Sequence, residues 1–197
     1  MLWWCIDALS KVDRVDRIVV ATDCDQIADA VKHMNINNVE VYRRSTDNAQ
    51  DHSSTESVML EFIEADDKLD GDDTFILIQA TSVFTTADDI IRGLDAIDDE
   101  DIDSVLSCIE SKQFFWSHEG KSLNYDYVQR PRRQDFNGQL IENGAFYINK
   151  VQSIVDKKNR LSGNIKPIIM PTYTSIELDE PDDWVIAESI MEKLNKK

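Results

Sequence analysis

The chain has 197 residues, 42% of them apolar, and its 38 acidic side chains outnumber 21 basic ones, for a formal net charge of −17. That length and apolar share suffice for one domain spanning residues 1–197 with a single core. So negative a balance excludes a general binder of nucleic-acid backbone or of an anionic membrane surface, and the longest apolar runs have the length of strands, not of membrane spans. Residues 17–22 then read as a buried strand, with Asp23 as N-cap and Gln26 three residues on as its capping-box partner, opening a helix along Ile27, Ala30, Val31 and Met34. Residues 39–42 form a second strand ending at Arg43 and Arg44. Ser54 or Thr55 caps a helix through Val58, Leu60, Phe62 and Ile63. The apolar run 74–79 has the composition of a central parallel strand covered on both faces. Thr86 with Asp89 starts another capped helix through Ile97, and 104–109 returns as strand.

Between residues 110 and 138, or about 110–140 at its widest, the alternation breaks. This polar stretch carries Phe114, Phe115, Trp116, Tyr125 and Tyr127, and reads as an inserted hairpin region whose aromatics serve a dimer contact, a pocket wall or a local satellite core. Regular order resumes at 145–148, followed by a helix from Val151 and a strand near Ile176. Pro181 suits the first position of a final helix whose positive end Asp182 and Asp183 complement. Strands alternating with helices predict a three-layer α/β/α, Rossmann-like domain with a mostly parallel sheet. Cys5, Cys24 and Cys108 are odd in number and widely spaced, the pattern of reduced structural thiols in a cytoplasmic setting. The apolar stretch 1–6 lacks the basic flank of a signal peptide.

Arg130, Arg132 and Arg133 form the densest positive cluster in this acidic chain, with Pro131 and Gln134 between and beside them. Forked guanidinium groups match a carboxylate or a phosphate, so the cluster fits either an anionic guest or an ion-paired hairpin at a subunit contact. In open α/β sheets, ligands bind beyond the carboxyl ends of strands. Arg43 and Arg44 fall there, as do Gln79, Ala80, Thr81 and Ser82, and Glu177 with Asp179. The last two are two apart on an extended segment, so their carboxylates share a face; that pair suits Mg²⁺ with its retained waters, or is simply part of an acidic surface. No phosphate-binding glycine loop of the Walker or dinucleotide type occurs, and His33, His52 and His118 have no metal-ligand spacing.

Taken together, Val20-Ala21-Thr22-Asp23, Arg43-Arg44-Ser45, Ile78-Gln79-Ala80-Thr81-Ser82, Gln113-Phe114 with Trp116-Ser117, Arg130 through Asp135, Glu142-Asn143-Gly144-Ala145-Phe146-Tyr147, and Ser175-Ile176-Glu177-Leu178-Asp179 before Asp183-Trp184 resemble the acylneuraminate cytidylyltransferases. The resemblance runs from near Leu2 almost to the C-terminus and is closest to animal-type members. It implies a nucleotidyltransferase-like fold, transfer of CMP from CTP to a nonulosonic acid with release of pyrophosphate, Mg²⁺ as cofactor, and a homo-oligomer, dimeric or larger. By the same resemblance Arg44, Gln79, Thr81 and Ser82 lie along the nucleotide. Gln113, Arg130, Arg133, Gln134, Asn143 and Tyr147 face the sugar acid or an adjoining subunit, with Arg130 or Arg133 on its carboxylate. Glu177 and Asp179 hold the metal, and Asp179 and Arg133 act at the reacting groups. Two departures stand out. Glu177 occupies a place where the family usually has Asp, and the chain starts just after the family's first strand and its Arg-Gly-Gly-Ser-Lys-Gly-type loop. The second departure raises a different expectation, a non-catalytic subunit that binds sugar acid or a partner without gripping the CTP phosphates.

Overall fold

The computed structural model describes residues 1–50, 52–194 and 196. Helix α1 (Leu2–Ser10) precedes strand β1 (Ile18–Thr22), helix α2 (Asp25–His33), strand β2 (Val39–Arg43), helix α3 (Thr55–Ala65), strand β3 (Thr74–Ile78) and helix α4 (Ala87–Ile97). Strands β4 (Ser104–Ser111) and β5 (Gln139–Lys150), helix α5 (Val151–Lys157), strand β6 (Ile165–Met170), a 3-10 turn (Thr172–Ser175) and helix α6 (Pro181–Leu194) complete the order. Local chemistry sets several of these ends. The Ser54 hydroxyl accepts the Ser57 amide at the start of α3, and Thr86 and Asp89 exchange side-chain-to-backbone bonds in a full capping box at the start of α4.

The strands form two ladders. β1 and β2 pair in parallel, and a four-stranded sheet runs in the order β3-β5-β4-β6. Within it β4 and β6 are parallel while β5 runs antiparallel to both β3 and β4, so β3, β4 and β6 share one direction and β5 alone opposes them. The arrangement is the expected three-layer, mostly parallel α/β fold. Helix α4 covers one face of the larger sheet, where Ile90, Leu94 and Ile97 meet Val105, Phe146, Ile148 and Ile168. Helix α5 packs against both β5 and α3. A second core joins Ile6 of α1, Ile18 and Val20 of β1 and Val31 of α2.

Three expectations need correction. Residues 74–78 are not a central strand: β3 is the edge of the larger sheet, pairs antiparallel with β5 only, and is half-buried along most of its length. Among the described residues the outer edges of β1 and β3 have no strand partner. Asp23 does not cap α2, whose N-cap is Cys24 without a side-chain bond; the Asp23 carboxylate is taken by Arg44 instead. The last strand is Ile165–Met170, not a segment at Ile176, which follows the 3-10 turn in irregular backbone.

Candidate active site

Two segments that the sequence places far apart are held together by a third core. Val83 and Phe84, just after β3, pack with Leu178 and with Ala187 of α6, while Phe84 and Tyr173 meet edge to face at 5.5 Å. Above this core the Leu178 amide donates to the Thr81 carbonyl at 3.2 Å. The loop 79–82 is also backed by α1, whose buried Cys5 thiol points at the carbonyls of Gln79, Ala80 and Ser82 at 3.7, 3.9 and 3.9 Å. Burial pushes that thiol up to about 11, so it is inert and structural. Asp183 anchors the other segment: its carboxylate accepts the amides of Asp179 at 3.1 Å and Glu180 at 2.7 Å.

The carboxylate pair sits in this frame. Asp179 is exposed and Glu177 half-buried. Burial first, and the Asp179 charge second, push the Glu177 carboxyl above the usual carboxylate range. The two acids therefore feel one another, as a shared face requires.

Strand β5 brings a further element to the same place. Its register against β4 passes from Leu106 opposite Tyr147 to Cys108 opposite Glu142, so Ser107 stands against the whole stretch 143–146. This bulge turns Asn143 inward, where its amide donates to Thr174 Oγ1 at 2.9 Å and contacts Met170 Sδ at 3.4 Å. The Ser107 hydroxyl accepts the Phe146 amide at 2.9 Å, supplying a partner where the ladder is interrupted. Gly144, at φ +68°, lies directly beneath the side-chain oxygens of Gln79 and Glu177.

The arginine cluster lines a groove of about 850 Å³ with Lys112, Gln113, Phe114, Pro131 and Gln134. Arg130 stacks over the Phe114 ring at 4.5 Å and lies 5.7 Å from the Tyr125 centroid. Arg132 pairs with Asp135 at 2.8 Å, whereas Arg130 and Arg133 form no ion pair with any described residue. The cluster is thus only partly an ion-paired hairpin. Gln113 and Arg133 also line a second hollow of about 510 Å³ with Glu110, Thr172 and Ser175. That hollow carries the arginine groove to within two residues of Glu177 along the chain.

The expected site residues therefore divide. Gln79, Thr81, Glu177 and Asp179 lie on two segments bonded to each other, and Gln113, Arg130, Arg133 and Gln134 line the arginine groove. Arg44 stands just after β2 of the smaller sheet in an ion pair with Asp23, its Nε buried without a partner among the described residues. Ser82 is 2% exposed, and its buried hydroxyl likewise has no described partner. Asn143 is 2% exposed and its amide is taken up by the bonds named above, which makes it a strut for the 3-10 turn. Tyr147 is 3% exposed and its hydroxyl donates to Glu142, while Arg160 covers its ring at 4.9 Å and pairs with Glu56 at 2.5 Å. Burial and the Glu142 bond push the Tyr147 hydroxyl up, so it is held as a neutral donor. The sequence reading missed Thr172 and Thr174; it had Ser175 and Asp183 among the markers of the resemblance, and Asp183 as a partner of the helix dipole, but gave neither a place in the site. The step from Glu180 to Asp183 has capping-box spacing and was the available signal.

Comparison with known proteins follows the same lines. Residues 1–159 match the family model described as Cytidylyltransferase. The chain is 33% identical over 195 residues to N-acylneuraminate cytidylyltransferase B of Danio rerio, aligning 95% of itself with 44% of that protein. It is 28% identical over 187 residues to CMP-N,N'-diacetyllegionaminic acid synthase of Legionella pneumophila, covering 90% and 78% of the two chains. The chain spans less than half the length of the fish relatives it matches. Among solved structures, it resembles 4-diphosphocytidyl-2C-methyl-D-erythritol synthase from Anaerococcus prevotii with a TM-score of 0.69 at 14% identity, over 97% of this chain and 85% of that one. It also resembles CMP:2-keto-3-deoxy-manno-octonic acid synthetase in complex with CTP, with a TM-score of 0.65 at 15% identity over 98% and 87%. At these identities the structural likeness shows the fold.

Proposed function

The chain belongs to the cytidylyltransferase family, and we propose that it transfers CMP from CTP to the anomeric hydroxyl of a sialic-acid-like nonulosonic acid, releasing pyrophosphate. The observation that carries this reading is the bonding of the Thr81 loop to the Leu178 segment beside a hollow that Arg133 shares with Thr172 and Ser175. It supports a reading in which the loop after β3 serves the nucleotide, the Glu177 and Asp179 segment a cation, and the arginine groove a sugar carboxylate. The sugar-acid direction comes from relatives named as N-acylneuraminate cytidylyltransferase and CMP-N,N'-diacetyllegionaminic acid synthase.

In this reading Gln79 and Thr81 lie along the nucleotide, with Ser82 behind them in the loop and Arg44 at its far end. Arg130 or Arg133 takes the sugar carboxylate, and Gln113 and Gln134 bond its hydroxyl groups. The anomeric oxygen forms its bond to the α-phosphorus as the bond to pyrophosphate breaks, and the hydroxyl proton leaves to water. Such a transfer asks for alignment and charge neutralisation more than for covalent help. Arg133 contributes neutralisation from the sugar side. Glu177 and Asp179 fit Mg²⁺, because two hard oxygen donors whose charges oppose each other favour a divalent ion that completes its shell with water and phosphate oxygens. When bound, the ion offsets phosphate charge.

We read the surface of 112–138 as the contact between two copies of the chain, since Trp116, Tyr127 and Val128 are 48%, 63% and 75% exposed there. Three free thiols, two of them buried, fit a reducing cytoplasmic setting. No helix among the described residues is long and apolar enough to cross a membrane.

The test is incubation with CTP, Mg²⁺ and, separately, N-acetylneuraminic acid, its deaminated analogue, legionaminic acid and pseudaminic acid, while pyrophosphate is followed. Release with at least one sugar, dependent on Mg²⁺, is expected. Silence with all four overturns the proposal.

A further inference from the structure

We infer that Gly144 is a positioning residue, its missing side chain allowing Gln79 and Glu177 to converge. The inference rests on the reading of Glu177 as a metal carboxylate and deepens it. Gly144 lies in the bulge of β5 at φ +68°, a conformation that L side chains rarely adopt. A Cβ on it would fall 2.8 Å from Glu177 Oε1 and closer still to Gln79 Oε1. Real Cβ atoms do not come so near an oxygen, so one or both side chains would have to swing away.

The atoms struck are the far ends of flexible side chains, not backbone. The fold can absorb the collision by rotating Gln79 and Glu177, but the site cannot, because their oxygens are the groups it aims. Glycine here therefore governs the geometry of the site more than its stability. A bulge beside a reacting centre that re-aims the groups around it is a recurrent device of sheets. Gly120 supplies the internal control: at φ +77° it carries the same backbone constraint, yet a Cβ there meets nothing within 4 Å.

The test compares Gly144→Ala with Gly120→Ala in the full chain by thermal melting and by calorimetric titration with Mg²⁺ in the presence of CTP. We expect the two variants to melt at similar temperatures, and only Gly144→Ala to lose Mg²⁺ affinity, by about 10–100-fold, the range for a group that orients a metal ligand. Gly144→Asn tolerates positive φ and carries the test if the alanine variant does not fold. Unchanged Mg²⁺ affinity in a folded Gly144 variant overturns the assignment, as does an equal loss in Gly120→Ala. Absence of Mg²⁺ binding by the unaltered chain instead strikes the metal reading itself and removes the inference with it.

Discussion

The Leu178 amide donates to the Thr81 carbonyl at 3.2 Å, and this bond ties the loop after β3 to the segment that presents Glu177 and Asp179. Leu178 is itself buried with Val83 and Phe84, so the two segments also share a core. The segment carrying the two carboxylates is consequently tied to the loop after β3, although neither acid stands on a regular strand.

Asp179→Asn is expected to remove Mg²⁺-dependent turnover and leave the fold intact, because Asp179 is exposed and its backbone, not its carboxylate, is held by Asp183. Melting temperature and pyrophosphate release, measured on the same sample, check both halves. Full activity in this variant moves the metal site elsewhere.

Arg130→Ala should weaken sugar binding by about 1.5–3 kcal/mol, the worth of a hydrogen bond to a charged group, or roughly 10–150-fold in KM for the sugar acid. Phe114→Leu should act in the same direction but less, since it removes the ring on which the Arg130 guanidinium rests at 4.5 Å. KM for CTP is expected to stay constant in both. A change confined to CTP would contradict the assignment.

Asn143→Ala should act on stability. The amide is buried and bridges β5 to Thr174 and Met170. Its loss costs about 2 kcal/mol, or about 4–8 °C in melting temperature for a chain of this size. Calorimetric melting reads this directly, and a shift under 1 °C would show that the strut is dispensable.

Stability should also fall in acid through Glu61. This carboxylate accepts from the Ser45 hydroxyl at 2.5 Å and the Ser45 amide at 2.9 Å, and also from Tyr42 and Asn48. The Ser45 bonds above all bring it down to about 2 from an ordinary 4.5. A depressed folded value means that the contribution is complete above pH 4.5 and is lost as pH falls toward about 2. Glu61→Gln is expected to lower stability at pH 7 by about 1–2 kcal/mol and to flatten the decline between pH 5 and 3. Urea midpoints across that range decide, and parallel curves for the two proteins would contradict the assignment.

Much of the fold was legible because its signals are local. Thr86 and Asp89 announce their capping box three residues apart, and Pro181 marks its helix start unaided. Strand order is a long-range property, and there the reading failed. Four consecutive apolar residues at 75–78 look the same in a central strand and in an edge strand resting on helices. Pro167 concealed β6, since proline argues against a strand interior; the sheet accommodates it because β6 is an edge that pairs with β4 alone. At the site, the types and order of residues pointed to Gln79, Glu177, Asp179 and the arginines. Spacing could not reveal that the bulge turns Asn143 inward or that Tyr147 is sealed under Arg160. Those outcomes depend on which face of β5 each side chain takes, and the bulge resets that alternation.

The most direct measurement is ³¹P NMR of the chain with CTP, Mg²⁺ and the sugar acid that gives the fastest pyrophosphate release. The account predicts that the CTP α-phosphorus signal is replaced by a phosphodiester resonance, with pyrophosphate accumulating in equal amount. CTP that persists unchanged, or that decays to CDP and inorganic phosphate, would contradict it.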